Sequence, residues 1–496
     1  MNVAIGVDVG TTGARAVAVD AGGTVVASRS VGYPLLTPHP QWTEQVPDEW
    51  WRATREAIGA VSAACREASQ EIVGIGLTGQ MHGSVFLDAA GEVIRPALLW
   101  NDQRTGRQCD EITARVGAER LVEITGNPAL TGFQAPKVLW LRDEEPENHE
   151  RVARVLLPKD FIRFRLAREL ATDASDAAGT LFLDLRTRDW SAEVLDALDV
   201  PAAWLPPVFE SPEATGTVVA DVAHELGLPT GLPVAAGGGD NAAAAIGTGV
   251  TSVGLMSSSI GTSGVLFAHS DACAVDPSGR IHAFAHSVPN AYCLLAVTLS
   301  AGGSLRWWRD LTGSSYDELV AEAEAVPAGS EGLVFLPYLT GERTPHLDPE
   351  ARGGFVGLTA RHTRGHMTRA VMEGVLFSLR DGLEVMRDLD VRPDRILATG
   401  GGASAELWLR LQADVYGSPV RRLAIEEGAA YGAALLGHVV AGTFADVDEA
   451  TSVVRTLDEA TEPDAARVAA YAETYEVYRS LYGTLREDMH RLTELA

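Results

Sequence analysis

Three glycine-rich turns carry the residues with chemistry to offer. Asp8 closes an apolar strand (3–9) just before Gly10-Thr11-Thr12-Gly13. Backbone N–H groups of such a turn can hold phosphate oxygens without a lysine, whereas a carboxylate beside them needs a cation to tolerate the anion. Asp8 is therefore a candidate Mg2+ partner through water, with a solvent-exposed turn aspartate as the plain alternative. Asp240 follows Gly237-Gly238-Gly239 where a helix begins at Asn241. A fixed anion there opposes a phosphate but suits a carboxylate that takes a proton from a neutral hydroxyl; the plain alternative is an N-cap. The third cluster, Gly400-Gly401-Gly402-Ala403, lies between a strand (395–399) and a helix (404–416). A turn of that kind lets a flat or anionic ligand approach the backbone closely.

The elements that must position these turns repeat. Apolar runs at 3–9 and 14–19 flank the first turn, and runs at 253–258 and 265–268 flank Gly261-Thr262-Ser263-Gly264. The two turns lie 251 residues apart, about half the chain, which reads as an internal duplication with each half opening on a β-hairpin. Between them, amphipathic helices expected at 47–68, 103–124 and 149–166 alternate with strands such as 72–77 and 84–88, an α/β pattern. The last helix carries Tyr471, Tyr475, Tyr478, Tyr482, Leu485, Met489 and Leu492 at spacings of four and three. That stripe packs on the second half, or else forms a seam between two copies of the chain.

Composition excludes several functions. Of 496 residues, 67 are Asp or Glu and 40 are Lys or Arg, for a net charge of −27, which repels nucleic acid and anionic membrane surfaces. Only Lys137 and Lys159 are lysines, and neither stands in a Gly-Lys-Ser/Thr context, so a Walker A loop is absent. The four cysteines are scattered without metal spacing, and the N-terminus opens directly on a strand pattern, so reduced thiols and a cytoplasmic location are expected. The uncharged stretch 241–268 is rich in Gly, Ser and Thr, unlike a membrane span. Gly74-Ile75-Gly76-Leu77-Thr78-Gly79 matches a dinucleotide fingerprint, but a further strand follows it where that fold needs a helix. His282/His286 and His362/His366 have helical metal spacing but no completing carboxylate, and are read as structural.

The sequence resembles the FGGY carbohydrate kinases from Val3 to about residue 440. The stretch from Gly353-Gly354-Phe355-Val356-Gly357-Leu358 through His366-Met367-Thr368-Arg369-Ala370-Val371-Met372-Glu373 fits the family's C-terminal signature. Gly132 and Lys137-Val138-Leu139-Trp140-Leu141 to Glu144 match the N-terminal one, which departs at Gln134. Gly79-Gln80-Met81-His82-Gly83, Leu99-Trp100-Asn101-Asp102, Leu156-Leu157-Pro158-Lys159-Asp160, Asp176-Ala177-Ala178-Gly179-Thr180 and Gly341-Glu342-Arg343-Thr344-Pro345 are similar to members that act on D-xylulose. Glycerol-phosphorylating members have an Arg-Glu pair in place of Met81-His82.

The resemblance implies an α/β fold of two duplicated actin-like ATPase (ribonuclease H-like) domains with an interdomain cleft. Residues 1–246 would bind sugar and carry the first phosphate hairpin, 247–443 would bind nucleotide, and 444–496 would form a helical tail on the second domain. It implies transfer from MgATP to the terminal hydroxyl of D-xylulose, with Asp240 as base and Asp8 supporting Mg2+. Met81, His82, Trp100, Asn101, Asp240 and Asn241 would face the sugar. Thr11, Thr12, Gly261, Thr262, Gly302, Arg306, Gly402 and Glu406 would face ATP. Domain closure would exclude water, itself a smaller acceptor than the sugar. L-Ribulose, D-gluconate, a pentitol and 1-deoxy-D-xylulose are the alternative substrates within the family. A homodimer is a further expectation, and an actin-like ATPase serving as an interaction module is the reading from another class.

Overall fold

The computed structural model describes residues 1–423 and 428–495. Two sheets of like strand order organise it. In the first, β1 (Asn2–Val9), β2 (Gly13–Asp20) and β3 (Val25–Gly32) form an antiparallel meander. The chain then returns through α1 (Pro47–Glu67) to β4 (Glu71–Gly79), parallel to β1. Outside β4 lie β5 (Ala214–Thr217) and β6 (Pro233–Ala235), in the order β5-β6-β4-β1-β2-β3, and β6 leads to helix α2 (Asp240–Thr248).

The second sheet repeats this plan. β7 (Leu255–Ile260), β8 (Gly264–Ser270), the edge strand β9 (His282–Ala285) and β10 (Tyr292–Thr298) are antiparallel neighbours. Helix α3 (Arg364–Asp388) returns to β11 (Arg395–Gly400), parallel to β7, and then come β12 (Val420–Leu423), α4 (Gly428–Val440) and β13 (Thr456–Thr461). The order β9-β10-β8-β7-β11-β12-β13 thus matches the first sheet strand for strand, with β9 added at one edge. Among the described residues no helix is long and apolar enough to cross a membrane.

The halves meet where α2 and α4 pack on each other, backbone to backbone. A Cβ on Gly432 would stand 1.8 Å from the Ala243 carbonyl oxygen. Helix α4, within the stretch the sequence reading gives to the second half, also lies on the first sheet. There a Cβ on Gly6, Gly74 or Gly76 would come within 1.9, 2.2 or 1.7 Å of helix carbonyls. The dinucleotide-like glycines therefore seat a helix. They belong to β4, which runs unbroken to Gly79.

Two helices differ from the sequence reading. The one expected at 103–124 is two, Gly106–Val116 and Ala118–Thr125, parted at Gly117 with φ 91°. The one expected at 149–166 is interrupted by strand Arg154–Leu156, and Pro158 starts a new helix because proline suits a first helical position. The tail helix α5 (Ala465–Glu494) buries Tyr471, Tyr475 and Tyr478 against the second half. Their hydroxyls reach Glu373 (2.8 Å), Asp381 (2.6 Å) and Tyr338 (2.8 Å), so the stripe is used within the chain.

Candidate active site

The carboxyl ends of β1 and β4 lie side by side, with Asp8 opposite Thr78 and Val9 opposite Gly79, and Gly238–Gly239 pairs with Thr78 and Gly79. This places Asp8 and Asp240 at the ends of the two strands that flank the end of β4. Gly239 caps α2, and Asp240 is its first residue, with Oδ1 accepting from the Asn241 backbone N–H (2.8 Å) and side-chain amide (2.9 Å). Burial raises the Asp240 carboxyl to about 6, against the pull of those bonds. Burial and then the Asp240 charge raise Asp8 to about 7, with Arg15 across the hairpin opposing the rise. The Oδ1 of Asp8 is buried and has no hydrogen-bond partner among the described residues.

An Asp8 carboxylate with an orphaned oxygen, within the field of the Asp240 charge, suits a divalent cation. No cluster of three or more His, Cys, Asp or Glu ligands is present among the described residues. A hard cation that keeps its waters and leans on substrate phosphates, as Mg2+ does, fits such a site better than a caged ion.

Behind Asp240 is a charged but buried support. The Gly239 N–H donates to Ser175 Oγ (3.2 Å), which donates to Asp173 (2.5 Å). Lys159, fully buried, pairs with Asp173 (2.8 Å) and Asp160 (2.6 Å) and lies 3.5 Å from Asp176. Burial holds the Asp176 carboxyl well above its ordinary range.

A cavity of about 240 Å3 opens beside Asp240, and Met81, His82, Trp100 and Asn241 all line it. His82 stands at φ 69°, a strained conformation for a non-glycine residue, and Lys137 Nζ grips its carbonyl at 2.9 Å. Its Nδ1 donates to the Gly179 carbonyl at 2.6 Å, and burial lowers the ring to about 3. The imidazole is therefore neutral, with Nε2 left as an acceptor. Asn101 does not line this cavity; its Oδ1 accepts from Thr43 at 2.8 Å.

Phe133, Phe284, His282 and Arg343 also line it, and the sequence reading gave none of them a site role. His282, taken there as structural, donates from Nδ1 to Asn127 Oδ1 at 2.7 Å. The Asn127 amide donates to the carbonyls of Thr125 and Ala283, which fixes its oxygen toward His282. Burial lowers His282 well below its usual value, so this ring too is neutral with Nε2 as acceptor. Arg343 stands in a quoted motif, which is a usable signal; the spacing of His282 from His286 suggests a metal, not this cavity. His286 is held by the Val250 carbonyl (3.0 Å) and the Val288 N–H (2.9 Å), away from the cavity.

A second cavity of about 440 Å3 lies on the other face of the second hairpin, and Gly261, Thr262, Gly302, Arg306 and Gly402 line it. Leu305, Val320 and Trp408 add apolar surface suited to a flat ring. The Thr262 carbonyl accepts from Ala301 (2.9 Å) and Gly303 (3.0 Å), so helix Gly302–Thr312 begins at the hairpin and turns its positive end to it. Glu406 lies outside, its side chain 73% exposed and 3.4 Å from Arg422. On the first hairpin, Thr11 Oγ1 accepts from Trp100 Nε1 (3.0 Å), and Thr12 is exposed.

The second hairpin thus separates the two cavities: Gly261 and Thr262 face one, Ser263 and Val265 the other. Duplicated sheets, paired glycine hairpins and a carboxylate in the cleft define a phosphotransferase of the actin-like ATPase fold. Comparison with known sequences makes the class specific. Residues 3–247 match the N-terminal domain of the FGGY family of carbohydrate kinases, and residues 256–441 match its C-terminal domain. The chain belongs to that family.

It is 40% identical over 500 residues to a xylulose kinase of Lactococcus lactis, covering 100% of this chain and 99% of the relative. It is 41% identical over 483 residues to the xylulose kinase of Escherichia coli K12, covering 97% and 99%. The crystal structure of a xyloylose kinase from Brucella ovis superposes with a TM-score of 0.93 at 39% identity, over 97% of this chain and 99% of that one.

Proposed function

We propose that the protein transfers the γ-phosphoryl group of ATP to the terminal hydroxyl of D-xylulose, giving D-xylulose 5-phosphate. The observation that carries this reading is the shared wall: one hairpin borders both an apolar-floored cavity of nucleotide size and a smaller cavity holding Asp240. The full-length similarity to xylulose kinases supports the choice of sugar.

In this mechanism the sugar lies between Met81, His82, Trp100 and Asn241, with its terminal hydroxyl at Asp240. The Asp240 carboxylate orients that hydroxyl and takes its proton as the new O–P bond forms. Backbone N–H groups of the two hairpins, with Thr11, Thr12 and Thr262, hold the phosphates, while Gly302, Arg306 and Gly402 line the rest of the nucleotide. Asp8 would hold Mg2+, which when bound neutralises phosphate charge. Holding both reactants in line matters more here than covalent chemistry. Asn101, bonded to Thr43, stays outside the sugar cavity, and Glu406 stays outside the nucleotide cavity.

The test is kcat/KM over D-xylulose, L-ribulose, D-gluconate, pentitols and 1-deoxy-D-xylulose in one ADP-coupled assay. D-Xylulose is expected to lead by about tenfold or more, the scale on which a hydrogen-bonding site separates analogues. Equal or better turnover of another member replaces the substrate, and ATP turnover indifferent to all of them replaces the reaction.

A further inference from the structure

Phosphorylation at O5 restricts the form of a 2-ketopentose that can react. In the cyclic furanose O5 is bonded to C2, so the hydroxyl that must attack does not exist. The reacting sugar is the open chain, and its C2 is a free carbonyl, an acceptor with no hydrogen to give. A site for it needs one donor-only group among partners that serve hydroxyls.

The small cavity has that composition. Asp240 and the Nε2 atoms of His82 and His282 are acceptors, matched to hydroxyl hydrogens. Arg343 lines the same cavity with a guanidinium that donates only, and among the described residues no hydrogen bond or ion pair occupies it. Its neighbours explain why. Glu342 is turned inward, accepting from the Leu299 N–H (2.9 Å), Ser378 Oγ (3.0 Å) and the Arg343 N–H (2.7 Å). Thr344 is tied to Val297 of β10 in both directions, at 3.0 Å each way. The backbone is thus clamped on both sides of a side chain left for a ligand. Its positive charge also opposes protonation of His82 and His282, keeping both as acceptors.

We propose that Arg343 is a specificity-determining residue that binds the C2 carbonyl oxygen of the open-chain ketose and so favours ketopentoses over pentitols. This rests on the D-xylulose reading above.

The experiment compares the full-length wild type with Arg343→Met and Arg343→Lys. It measures kcat and KM for D-xylulose and the competitive Ki of xylitol, which differs from D-xylulose in carrying a hydroxyl at C2. Thermal melting checks the fold. In Arg343→Met, KM for D-xylulose is expected to rise about tenfold or more, with a smaller fall in kcat and a xylitol Ki changed less than about threefold. Arg343→Lys, which keeps the charge but loses the fork, should fall between.

Equal rises in KM and Ki would overturn the proposal, as would a fall in kcat alone, which would place the guanidinium on the phosphoryl group. So would unchanged constants, or unfolding of both variants, since a side chain without protein partners has no fold to hold. A wild type inactive on D-xylulose but active on another sugar overturns the substrate reading itself, and does so before any variant is measured.

Discussion

The two hairpins are the same device in two settings. Gly10 donates to the Gly13 carbonyl at 3.1 Å, and Gly261 donates to the Ser263 carbonyl at 2.9 Å. Each hairpin joins antiparallel strands of which the first has a parallel neighbour on its other side. The difference is one position upstream of each strand end: Asp8 in the first copy, Ser259 in the second. Neighbouring strand ends diverge likewise. β4 runs through Gln80 into Met81-His82 of the small cavity, and β11 into Gly401-Gly402 of the large one. The first copy places carboxylates at its strand ends, beside a small cavity to which both halves contribute. The second has no acid at that point and lines the large cavity with backbone and apolar surface.

Substitutions can break this asymmetry. Asp240→Ala should cost kcat about a thousandfold or more, within the range of a lost general base, while the circular dichroism spectrum stays that of the wild type. Activity within tenfold of wild type in an ADP-coupled assay would remove the base from the mechanism. Next in size, Asp8→Asn should lower kcat by about a hundredfold and raise the Mg2+ concentration needed, whereas Ser259→Ala should stay within about threefold. Equal effects at the two positions would mean that the copies do the same work.

A smaller effect is expected on the nucleotide side. A Cβ on Gly302 would come within 2.5 Å of the Gly261 carbonyl oxygen. Gly302→Ala should therefore displace the hairpin and raise KM for ATP about tenfold, with KM for the sugar little changed; initial rates over both substrates separate the two. The mildest perturbation is pH. Asp240 accepts a proton only when ionised, and burial sets its carboxyl at about 6, above its ordinary value. Lowering pH through about 6 should then reduce kcat/KM for the sugar, whereas a carboxylate at its ordinary value would keep the rate level to about 4. A profile flat to pH 5 would contradict the raised value.

Much of this was legible because it is local. A glycine turn, the residue before it and a helix start are set by neighbours in sequence, so the hairpins, their repeat and the placing of Asp8 and Asp240 could be read directly. What the sequence hid is what distant segments do to each other. The Gly74–Gly76 pair looks like a nucleotide turn until α4, arriving some 350 residues later, lies across it. His282 enters the cavity only because β9 adds an edge to the second sheet, and Asn101 leaves it because Thr43 is nearby.

The two lysines show both sides. Their contexts excluded a Walker A loop, but nothing local told that both would be buried beneath the small cavity. Lys137 holds the His82 carbonyl, and Lys159 pairs with Asp160 and Asp173 behind Asp240.

The central claim is that this cleft passes a phosphoryl group from the large cavity to a hydroxyl in the small one. The most direct measurement is 31P and 13C NMR of the wild-type protein with MgATP and D-xylulose. The expected result is one equivalent of ADP for each sugar phosphate, with phosphorus coupled to C5. ADP accumulating with free phosphate at the same rate whether or not sugar is present would contradict it, as would phosphorus on any other carbon.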